Sequence, residues 1–164
     1  MAELTHLEEK LAEVTGLAMA AEAAGSKISK LTEKQDKSLV ATLQRMAEEA
    51  SETARRCESV AGGFDGKKTA ILDEAREVKK KAADMMSTYL DADADALDGF
   101  EFLTMAEAAE VGHWSVLQTM NESARNNDVR ELVSWALRIQ ERHFQDVLNG
   151  SQKLAAEQDP NEVA

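Results

Sequence analysis

The segment FEFLTMAEAAEVGHWSVLQTMNESARNNDVRELVSWALRIQERH, residues 100–143, decides how this chain folds. Its first half reads as one amphipathic helix, with Phe100, Leu103, Trp114 and Leu117 on a single apolar stripe. At about 100° per residue, Glu110 falls within roughly 20° of that stripe's centre, Glu107 about 40° from it and His113 about 80° from it. The helix therefore points carboxylates inward. The second half repeats the anomaly. Val129, Leu132, Ala136, Ile139 and Val147 define a stripe on which Gln140 and His143 also sit, His143 close to its centre. A buried ionised carboxylate costs several kcal/mol unless it is paired or binds a cation. Two such helices facing each other imply something positive between them, and a metal ion is the most economical answer.

Three more helices lie upstream. Leu4, Leu7, Leu11, Val14 and Ala18 recur at three- and four-residue steps, predicting a first helix over 3–24 that Gly25-Ser26 ends. Its Ala-rich end, Leu17 to Ala24, allows close approach by a neighbour, with Glu22 on the edge of the inward face and Glu13 pointing into solvent. A second helix is predicted from Ser26 to about Ala61, marked by Ile28, Leu31, Leu39, Leu43, Met46, Ala50, Thr53, Cys57 and Val60, with Gly62-Gly63 as its stop. Thr53 lies in that stripe, Glu49 on its flank, and Cys57 reads as packing rather than a reactive thiol.

A third helix, about 67–90, carries Ile71, Ala75, Val78, Ala82, Met85 and Tyr89 as a heptad-like seam, with Lys79-Lys80-Lys81 on its wet side. Asp91-Ala92-Asp93-Ala94-Asp95 lacks the central Gly and the bidentate Glu of a calcium loop and reads as an acidic helix start. The fourth helix spans about 95–124, Asn126-Asn127-Asp128 forms the next turn with Asp128 as N-cap, and the fifth ends near Glu157. The expected architecture is all-α: an antiparallel bundle of about five helices, a four-helix core plus an additional helix, in one domain over 1–158 with a tail at 159–164.

Composition supports this. Hydrophobic residues make up 43% and aromatics 4%, with one Pro, which suits long helices and fits a sandwich or barrel poorly. Thirty-one acidic against nineteen basic residues give a formal charge of −12, which works against phosphate backbones and anionic lipid surfaces. No nucleic-acid or membrane partner is expected. Met1-Ala2-Glu3-Leu4 shows no basic region followed by an apolar one, and no apolar run reaches about twenty residues. With a single Cys that can form no internal disulfide, the expected setting is cytoplasmic.

Glu110-x-x-His113 places a carboxylate and an imidazole on adjacent turns, both able to reach one ion in a bundle core. In carboxylate-bridged two-metal bundles each such pair is completed by a Glu on a neighbouring helix. Gln140-x-x-His143 takes the symmetric place on the last helix, with a weaker neutral amide where a Glu is expected. Glu141 lies off the stripe and becomes a ligand only if that helix is rotated or bulged. The same residues are also explained by a hydrogen-bonded polar layer that fixes helix register.

At these residues the chain resembles the ferritin-like superfamily, in particular its small bacterial stress-associated branch. Glu107-x-x-Glu110-x-x-x-Trp114 is similar to that branch's E-x-x-E-x-x-x-Y, and Leu137-x-x-Gln140-Glu141 to its L-x-x-E-E; Glu48-Glu49 followed by Arg55 or Arg56 is a weaker echo. The resemblance is best from Ala96 to Leu154. It implies a dinuclear iron, manganese or zinc site built from Glu22, Glu49, Glu107, Glu110, His113, Gln140 and His143, handling oxygen, peroxide or ferrous iron. The departure at Gln140 weakens the case for symmetric di-iron chemistry. The alternative is a non-catalytic helical interaction module, dimerising through its third helix or the Ala-rich end of its first, in which the Glu and His layer sets register.

Overall fold

The computed structural model describes residues 2–162. Among these, five helices follow one another: α1 (His6–Thr32), α2 (Lys37–Ala61), α3 (Lys68–Tyr89), α4 (Ala96–Ala124) and α5 (Asn127–Ala155). The chain is an all-α bundle. α1 packs on α2, α4 on α5, α1 on α4 and α2 on α5, closing a four-helix core, while α3 lies outside against α1. None of these helices is long and apolar enough to cross a membrane.

The first helix runs well past Gly25. Thr5 starts it with a reciprocal cap, its hydroxyl accepting from the Glu8 N–H while the Glu8 carboxylate accepts from the Thr5 N–H. Leu11, Val14, Ala18, Gly25, Ile28 and Thr32 then continue one buried line. Gly25 is a point of helix approach rather than a stop: a Cβ there would sit 3.4 Å from the Ala47 Cβ of α2. Glycine inside a helix costs about 1 kcal/mol relative to Ala, and the fully buried Ile28 beyond it outweighs that loss, since burying such a side chain is worth about 1.5–3 kcal/mol. The break falls instead at residues 33–36. Asp36 caps α2 by accepting from the N–H groups of Ser38 (2.7 Å) and Leu39 (3.3 Å), so Ile28 and Leu31 belong to α1.

α3 buries residues in its first half and only grazes the core beyond it, through half-buried Met86. Ile71 and Ala75 are buried, and Gly16 admits the contact, because a Cβ on it would lie 2.4 Å from the Ala75 carbonyl oxygen. The expected seam then opens. Val78 and Ala82 are half-buried, while Met85 and Tyr89 are exposed. Lys79, Lys80 and Lys81 are all exposed, as their spacing requires.

Asp95 and Asp98 form a reciprocal cap for α4, in keeping with an acidic helix start. At the α4–α5 turn the cap is Asn126, not Asp128: its side chain accepts from the Val129 N–H at 3.0 Å. Buried Asn121 stitches that turn, accepting from the Asn126 N–H (3.1 Å) and donating to the Asn126 carbonyl (2.9 Å), while Arg125 takes the left-handed conformation at φ 54°. Of the predicted tail, 159–162 is exposed and makes one turn, the Glu162 N–H reaching the Asp159 carbonyl at 3.1 Å. Residues 163 and 164 lie outside the described residues.

The core falls into two apolar clusters. One gathers Leu11, Val14, Cys57, Ile71, Trp114, Leu117, Val129 and Val133. The other gathers Ile28, Leu43, Met46, Phe100, Leu103, Val147 and Leu154. Every helix of the four-helix core passes from one cluster to the other, and Glu107, Glu110, Gln140 and His143 sit in the interval.

Candidate functional site

Glu107 and Glu110 on α4 and Gln140 and His143 on α5 are buried, as their stripe positions require. Each sits about one turn from its partner, so the four side chains enter the bundle at one level. From α2, half-buried Glu49 joins them: its carboxylate lies 2.7 Å from His143 Nε2. The Gln140 amide donates to Glu107 Oε2, and that same oxygen lies 3.7 Å from His143 Nδ1. A continuous line of polar groups therefore crosses from α4 through α5 to α2.

The charges in this line follow from its surroundings. Burial disfavours imidazolium and carries His143 below the ordinary histidine range, despite the Glu49 carboxylate beside it. Burial alone would raise Glu49, but hydrogen bonds from His143 and Arg142, the latter at 2.5 Å, bring its carboxyl below the ordinary range. Near neutrality the arrangement is thus a neutral imidazole donating from Nε2 to an ionised Glu49, with the Nδ1 lone pair turned toward Glu107. Burial pushes Glu107 up to about 7, against the Gln140 hydrogen bond. Burial and the neighbouring Glu107 hold Glu110 well above the ordinary carboxylate range. Arg45 closes the outer end of the line, pairing with Asp146.

Two of the expected site residues stand elsewhere. Glu22 is exposed: because α1 continues through Gly25 to Ile28 and Thr32, its inward line bypasses residue 22. His113, 39% exposed in its side chain, faces α1 and lies 3.0 Å from the Glu13 carboxylate, which also pairs with Lys10. Its place at the edge of the α4 stripe puts it in the α1–α4 crevice. Glu13, expected in solvent, is half-buried there. Glu141 is exposed, as its angle requires. Cys57 is wholly buried, and burial pushes its thiol up to about 12, which leaves it a packing group.

These positions do not suit a dinuclear metal group. His143 directs one ring nitrogen toward Glu49 and the other toward Glu107, so one face-on ion cannot take both carboxylates with the imidazole. The second imidazole and the α1 carboxylate that would complete the pair point away. Among the described residues, no three His, Cys, Asp or Glu side chains converge as a metal-holding group.

Sequence reasoning missed Arg142 and Glu13. Arg142 directly precedes His143, and adjacent helix positions diverge by about 100°, so nothing in the sequence marked the Glu49 carboxylate that both reach. Glu13, three residues after Lys10, gave only an ordinary surface-pair signal. No family model, curated protein or solved structure matches this chain.

Proposed function

We propose that this chain is a non-catalytic helical binding module whose Glu49–His143–Glu107–Gln140 line fixes the register of α2, α4 and α5. The carrying observation is closure: both nitrogens of buried His143 face carboxylates from other helices, and Gln140 occupies one of them. Apolar clusters alone tolerate sliding by a turn, whereas a misaligned buried imidazole loses its partners, a penalty of about 1–3 kcal/mol per unmade hydrogen bond.

The competing proposal is the metal-binding one, which the resemblance to ferritin-like bundles implies and which Glu107, Glu110 and His143 support by their shared level. The two separate on metal content. The chain is purified without an affinity tag, then supplied anaerobically with ferrous iron, and metal per chain is measured beside the urea stability of the wild type and His143→Gln. The register reading expects less than about a tenth of an equivalent of metal and a loss of about 3 kcal/mol in the metal-free variant. Between about one and two equivalents, lost in the variant, would overturn it in favour of a metal centre.

A further inference from the structure

The polar line leaves one of its neighbours out. Glu110 is 4% exposed and makes no hydrogen bond among the described residues; the one fully buried side-chain polar atom without a partner there is Trp114 Nε1, so the Glu110 carboxylate keeps a sliver of solvent contact. It lines a groove of about 130 Å³ bounded by α1, α3 and α4. The groove lies beyond the point where α3 docks at Gly16, and its walls are short because they are alanines: Ala20 and Ala24 on α1, Ala82 on α3, Ala106 on α4. Met85 and Met105, 50% and 39% exposed, also line it. Methionine adapts its shape to varied apolar guests.

We propose that this groove binds a small lipophilic amine, its ammonium group pairing with the Glu110 carboxylate and its apolar body filling the space between Ala20, Ala82 and Ala106. The size follows from the volume. An apolar cavity of about 150 Å³ takes a benzene-sized guest, so a single ring or about six carbons fits here, with any longer tail leaving past the two methionines. The sign of the charge follows from where the polar groups stand. Besides Glu110 the groove is lined by one other charged residue, Lys79, which is exposed; a head group paired there gains little, because water screens the pair. At Glu110 the pair is sheltered from water, where a charge-assisted hydrogen bond is stronger than at the surface. A formal charge of −12 further concentrates cations at the surface. Burial and the neighbouring Glu107 hold the empty carboxyl well above the ordinary carboxylate range, and an ammonium guest supplies the countercharge it lacks. No member of the register line takes part, so the failure of this proposal leaves that line untouched.

Calorimetric titration of the full chain at neutral pH with phenylbutylamine, phenylbutanol and phenylbutyrate, three ligands of one body and different heads, tests this. The amine is expected to bind at one per chain, at least about tenfold tighter than the alcohol or the acid. Glu110→Gln, close in shape, is expected to remove that preference while leaving the alcohol's affinity unchanged. Ala83→Phe, at an exposed position of the groove wall, is expected to weaken all three, with thermal unfolding confirming that the variant folds. Preference for the acid would assign the head group to Lys79 and overturn the proposal. So would an amine affinity untouched by Glu110→Gln, or binding of none of the three at millimolar concentration.

Discussion

Glu107→Gln tests the charge state of the buried line directly. The substitution keeps the side chain's shape and an oxygen to accept from Gln140, and removes only the ability to ionise. Glu107 has its carboxyl raised from 4.5 to about 7 by burial. For a raised acid the folded state holds its proton longer than the unfolded chain, so the associated stability is complete below pH 4.5 and is lost as pH rises to about 7. At about 1.4 kcal/mol per unit, the full loss is about 3 kcal/mol. Low pH is limited by the isoelectric point near 4.7, where proteins associate.

Urea unfolding followed by helical circular dichroism at about pH 5.5 and about pH 8 covers roughly 2 kcal/mol of that loss. His143, whose depressed range makes it destabilising in acid, is present in both proteins, so most of its own titration cancels in their difference. The variant is expected to gain about 2 kcal/mol on the wild type between the two conditions. A difference that changes by less than about 0.5 kcal/mol, or that favours the wild type at the higher pH, would refute a buried, reluctantly ionised Glu107.

Two further outcomes are expected. Gly150→Ala would place a Cβ 2.3 Å from the ring of buried Phe100; overpacking of about 1–3 kcal/mol should exceed the helix-propensity gain of about 1 kcal/mol, giving a net loss measurable as a lowered Tm. His113→Ala removes a partly exposed pair with Glu13 and should change urea stability by less than about 1 kcal/mol, in contrast to His143→Gln.

The inward faces of α4 and α5 were legible in the sequence because both helices are long and apolar at regular spacing, and the four polar residues placed within those stripes, Glu107, Glu110, Gln140 and His143, are all buried. Residues at stripe edges were not. His113 and Glu22 sit where a small change in helix rotation decides between core, crevice and solvent, and only the packing of α1 settles it. Gly25 misled for a related reason: the same residue ends helices and admits close neighbours, and the choice depends on Ala47 in α2, which is remote in sequence. The exposed end of α3 was hidden by a seam that continues in sequence past Ala75, although only Ile71 and Ala75 of that helix are buried.

The division of the core into two apolar clusters has a dynamic consequence. Cooperative unfolding requires that loss of one side deprive the other of contacts, and here the link between sides is the continuous backbone of α1, α2, α4 and α5. α3 alone engages mainly one cluster, through Ile71 and Ala75. Its amides beyond Lys79 should therefore exchange with solvent hydrogen through local fraying, while those near Ile71 wait for opening of the bundle itself. A guest between α3 and α4 would slow the first set and leave the second unchanged.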